Sequence, residues 1–177
     1  SAGAIRFDTR GNVLDAYPIL TGTVLNCAGG KTPWGTWLSC EELPVRAGGP
    51  FSRDHGFVFE VPATAEPALT PAIPLLALGR MNHEAAVVDP ASGVVYLTED
   101  REASLFYRLL PEVPGELARG GKLQALRLRH GPSDTRNWKD GPALEPAKAW
   151  WASVECAEGR ALRQASAQTD MFVVEGV

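Results

Sequence analysis

The chain has 177 residues, 45% of them apolar, which is enough for one ordinary hydrophobic core and too little for two large domains. A formal net charge of −4 with no basic face excludes nucleic acid and an anionic membrane surface as expected partners. The 18 glycines and 14 prolines favour short elements joined by many turns, and three cysteines are too few for a disulfide scaffold. The longest apolar run, residues 73–78, is far short of a bilayer span, so no membrane partner is expected, and no targeting leader is visible at Ser1.

In chain order the pattern is one of strands. Residues 4–8 alternate, 9–12 (TRGN) form a turn, and 13–20 return as a partner strand. Residues 22–26 are a short β-prone piece. The Gly-Gly of 28–33 is read as a turn, after which 34–40 alternate large and small side chains. Residues 55–61 (HGFVFEV) make a third strand of this set and 72–78 a fourth. The pattern then starts again, with strands at 83–89, 94–100, 105–110 and 123–129.

The two sets superpose. Phe57 falls on Phe106 and Pro62 on Pro111 with one offset of 49, while the run Cys40-Glu41-Glu42 falls on Thr98-Glu99-Asp100 with an offset of 58. Four antiparallel strands repeated with irregular loops suit propeller blades better than a sandwich. In that arrangement Cys27 and Glu84 stand at the starts of first strands. Glu41, Glu42, Glu99 and Asp100 stand at the ends of second strands, so hard and soft metal ligands would gather at one mouth of a channel. Residues 131–146 are polar and proline-rich, 147–167 suggest one or two helices with Cys156 on an apolar face, and 171–177 (MFVVEGV) read as another strand beginning. Because a propeller needs about four blades to close, the chain is expected to be an incomplete portion. The division expected is a blade remnant at 1–20, blades at 22–79 and 80–130, a helical insertion at 131–169 and the start of a further blade at 170–177, with the remaining blades as partners.

The residue types alone leave blander readings open. Cys27 and Cys40 could be buried small hydrophobes or a cross-strand disulfide. Glu84 could be a surface carboxylate, and Glu99 with Asp100 a solvated strand end. Lys31 follows a Gly-Gly pair, but the earlier glycine and the following helix of a phosphate loop are missing. Trp34 and Trp37 are read as packing residues and His83 as a structural one.

Five runs, NCAGGKTPWGTWLSCEE, HGFVFEV, GRMNHEAAVVDPASGVVYLTED, LFYRLLP and the terminal EGV, occur in this order along nearly the whole chain. Together they resemble the PhoX-type alkaline phosphatase family. The resemblance implies an all-β, six-bladed β-propeller, periplasmic or secreted, whose channel mouth holds iron and calcium and acts on phosphate monoesters. It implies Glu84 and Glu175 as iron ligands, with Cys27 as the thiolate and Cys40 as the second candidate. Glu41 and Glu42 then become calcium-side carboxylates, and Glu99 and Asp100 further candidates. In one place the chain departs from the family, which typically carries an arginine as a phosphate contact two residues before the terminal glutamate, where this chain has Val173. That departure supports an alternative, a non-catalytic propeller module that keeps the fold and its calcium sites.

Overall fold

The computed structural model describes residues 1–126, which fall within one compact unit. The expected helical insertion, the strand at 171–177, Cys156 and Glu175 lie outside the described residues. The described part is all-β, with three separate antiparallel sheets and helix limited to two single 3-10 turns.

The first sheet is a hairpin of β1 (Ala2–Phe7) and β2 (Val13–Leu20). Its turn is held by Asp8, whose carboxylate accepts the backbone N–H of Arg10 at 2.8 Å and of Asn12 at 2.9 Å. The second sheet runs in the order β3 (Asn26–Lys31), β4 (Thr36–Glu41), β5 (Val58–Pro62), and the third in the order β6 (His83–Val88), β7 (Val95–Glu99), β8 (Tyr107–Pro111), β9 (Gly121–Ala125).

Two expectations from the sequence give way here. The Gly-Gly pair is strand rather than turn: Gly29 and Gly30 sit inside β3, and the reversal falls just after it, at residues 32–35. A Cβ on Gly29 would stand 1.7 Å from the Leu38 carbonyl oxygen, and one on Gly30 1.9 Å from that of Ala86. These glycines are therefore there for close approach, letting β3 lie against β4 on one side and β6 on the other. The fourth strand expected at 72–78 shrinks to one bridge, Phe59 with Pro74, followed by a 3-10 turn at Leu76–Leu78. Pro71 and Pro74 have no N–H to give, so a ladder cannot propagate through them.

The core explains how the sheets are arranged. Along β5 Val58 points into one apolar cluster with Leu38, Cys40, Leu97 and Leu109, whereas Phe59 and Val61 point into another with Ala2, Ile19 and Leu20. Since neighbours on a strand face opposite sides, the middle sheet is covered on both faces, by the first sheet and by the third. Each fully buried leucine in these clusters contributes about 2 kcal/mol by leaving water.

Candidate metal centre

Sheets two and three repeat the same local construction at their strand starts. In β3 the register runs from Asn26 opposite Glu41 to Gly29 opposite Ser39, three steps against two. In β6 it runs from His83 opposite Glu99 to Ala86 opposite Leu97, again three against two. Cys27 and Glu84 thus both fall in a bulge, the device by which a strand re-aims a side chain beside a site. The backbone repeats too: Glu42 N–H donates to the Leu25 carbonyl at 2.9 Å, and Asp100 N–H to the Asn82 carbonyl at 3.1 Å. Each residue just past a second strand is therefore tied to the residue just before a first strand. The Asn82 side-chain amide then crosses between the sheets and donates to the Glu42 carbonyl at 2.7 Å.

This scaffold places Cys27, Glu84 and Asp100 around Glu42, which interacts with each of the three. The Glu42 carboxyl lies near enough to Cys27 and Asp100 to interact with both, and the Glu84 charge acts on Cys27 and Glu42. Burial pushes the Cys27 thiol above its ordinary range, and Glu42 and Glu84 push it further, against a backbone hydrogen bond from Ala28. Burial likewise raises Glu42, with Asp100 and Glu84 acting the same way and the interaction with Cys27 opposing them. The largest cause in both is burial, and the neighbouring acidic groups add to it. Among the described residues, no three His, Cys, Asp or Glu side chains converge into a ready-made metal-holding group. The donor chemistry nevertheless suits metal ions, with a soft sulfur beside Glu84 and hard oxygens at Glu42 and Asp100.

Glu41 goes elsewhere. Its side chain is fully buried, and its two oxygens take four donors: Val24 N–H at 2.9 Å, His55 Nδ1 at 2.7 Å, Gly56 N–H at 2.7 Å and Phe57 N–H at 3.1 Å. It clamps the end of β4 to the loop before β5, and this clamp fixes the backbone from which Glu42 projects the other way. Glu99, the equivalent of Glu41 in the third sheet, accepts a hydrogen bond from the Tyr107 hydroxyl at 3.1 Å. Burial, and then Glu99, raise the Tyr107 hydroxyl above its ordinary value. Cys40 is fully buried in the apolar cluster between sheets two and three, and it is not bridged to Cys27.

The neighbours of the centre have structural work of their own. His83 is fully buried, its Nε2 donates to the Gly79 carbonyl at 3.2 Å, and burial lowers its pKa below the usual histidine value. Trp34 Nε1 and the Thr36 hydroxyl both donate to Glu60 Oε1 at 2.6 Å, stapling β4 to β5. His55 and Asn82 had no place in the site read from the sequence. Only the repeat could have flagged Asn82, since it occupies the position of Leu25 one set later, whereas no local pattern marks His55 as the partner of a glutamate 14 residues earlier.

The site combines a bulge-borne thiol and carboxylate with strand-end acids on an all-β scaffold, which defines a candidate metalloprotein centre. A sequence model of the family described as Alkaline phosphatase PhoX matches residues 2–173, and the chain belongs to that family. No curated protein gives a significant match. Among solved structures, Pseudomonas fluorescens PhoX in complex with vanadate, a transition-state analogue, is 26% identical with a TM-score of 0.45. The match covers 59% of this chain and 26% of that one, so the chain spans about a quarter of the length of that protein.

Proposed function

We propose that the intact protein is a metal-dependent phosphomonoesterase, that its sheets are blades of a β-propeller, and that Cys27, Glu42, Glu84 and Asp100 hold its metal ions at one rim of the channel. Membership of an alkaline phosphatase family supports the reaction class. The observation that carries the site is the pair of equivalent bulges at Cys27 and Glu84, each beside an equivalent backbone hydrogen bond, Glu42 to Leu25 in one sheet and Asp100 to Asn82 in the other. Two-sided burial of the middle sheet supports radial stacking of blades, with the remaining blades coming from the rest of the parent chain.

In this reading Cys27 and Glu84 form the iron side, completed by Glu175, while Glu42 and Asp100 form the calcium side. Glu41 serves as the clamp behind Glu42 rather than as a ligand, because its oxygens already have four protein donors. When bound, such ions would supply positive charge for the phosphoryl oxygens and would make a water a better nucleophile. Hydrolysis breaks the P–O bond to the organic alcohol, joins the water oxygen to phosphorus and returns a proton to the departing alkoxide. The chain's own residues hold the ligand geometry: Asn82 ties the two sheet ends together and the Glu41–His55 clamp fixes the turn beyond β4. A periplasmic or secreted location belongs to the same reading.

A second reading, a non-catalytic propeller module, is favoured by Val173 standing where the family resemblance calls for a phosphate-binding arginine. Release of p-nitrophenol from its phosphate ester at alkaline pH separates the two. The phosphatase reading expects turnover that a chelator abolishes and added calcium restores. Metal-loaded protein without turnover leaves the module.

A further inference from the structure

Beside the centre lies an open groove of about 620 Å³ lined by Leu43 and Pro44 after β4, Asn82 just before β6 and residues 100–103 after β7. Asp100 belongs to both the groove wall and the acidic cluster, and Leu43 directly follows Glu42, so the groove opens from the calcium side of the centre. Its volume lies within the roughly 300–1,000 Å³ typical of small-ligand sites, with one side open to solvent.

We propose that this groove receives the organic part of the phosphate ester, and that Arg101 selects substrates whose organic part carries a single carboxylate. Arg101 is the one cation among the described lining residues, and no ion pair among the described residues engages it. Its planar fork matches a carboxylate with two parallel hydrogen bonds, which a hydroxyl cannot reproduce. Leu43, Pro44 and Ala103 offer an apolar wall for the carbon skeleton. Glu102 shares the wall. One guanidinium flanked by Asp100 and Glu102 suits one negative charge and disfavours a second phosphate.

The assignment rests on the phosphatase reading, and the test keeps the two apart. Intact, metal-loaded wild-type protein and Arg101→Ala are compared on 3-phosphoglycerate, whose organic part carries a carboxylate, and on p-nitrophenyl phosphate, whose organic part carries none. The expected result is a drop of roughly tenfold or more in kcat/KM on 3-phosphoglycerate, as for loss of one charge-assisted contact. The p-nitrophenyl ester, inhibition by inorganic phosphate and metal content should stay as in wild type, and Arg101→Lys should recover part of the loss. Equal losses on both esters, weakened phosphate inhibition or no loss at all would overturn the assignment of Arg101. A wild type that is inactive on both esters despite its metals would remove the phosphatase reading along with it. An active wild type without the selective loss would remove only the groove assignment.

Discussion

Glu41 and Glu42 are adjacent in sequence and opposite in role. Neighbouring strand residues face opposite sides, and the two side chains diverge although β4 ends at Glu41. Which one turns toward Cys27 depends on where the donors are, and those come from Val24, His55, Gly56 and Phe57, none of them readable from the Glu-Glu pair itself. The same parity appears at Glu99 and Asp100, where Glu99 meets Tyr107 and Asp100 meets Glu42. Exchanging each carboxylate for an amide exposes the difference. Glu41→Gln turns an NH2 group toward buried donors and should lower unfolding stability by about 3 kcal/mol, read as a shifted urea midpoint. Glu42→Gln, compared in chelated protein, removes one member of a crowded acidic group and should leave the midpoint unchanged or raised. If the two variants lose stability equally, the division of labour between clamp and ligand is wrong.

At the scale of the element, most strands were legible because their alternation is plain, and β2 occupies the span that the pattern outlined. What escaped was the purpose of the glycines. A Gly-Gly pair between apolar runs reads as a turn from local chemistry, yet here the deciding contact is the backbone of Ala86, more than fifty residues away. The bulges at Cys27 and Glu84 were hidden for the same reason, since a bulge is a property of pairing between two strands and leaves no mark in either one alone. Gly30→Ala should cost a few kcal/mol, because the added methyl meets a carbonyl oxygen that cannot move without shifting β6. Thermal unfolding measures it. Gly35→Ala is the informative control: its Cβ would meet open space, and its cost should be limited to the backbone strain of a φ of 79°. A Gly30 variant as stable as wild type would mean that β3 and β6 do not lie in this contact.

For the whole molecule, the internal repeat carried the most information. It aligned Cys27 with Glu84 and Glu42 with Asp100 before any contact was known, and the structure places the other three around Glu42. The repeat was informative because the radial position of a residue follows from its place within a strand set, which sequence offsets preserve even when loops differ in length. It said nothing about Arg101, whose place on a groove wall arises from the loops that differ.

The most direct test of the central claim is the metal content of the intact protein purified without chelators, measured by elemental analysis for wild type, Cys27→Ala and Cys40→Ala. The account predicts iron and calcium in wild type, loss of iron with calcium retained in Cys27→Ala, and unchanged iron in Cys40→Ala, whose sulfur is buried among apolar side chains. Wild-type protein containing neither metal, or iron that survives in Cys27→Ala and disappears in Cys40→Ala, would contradict it.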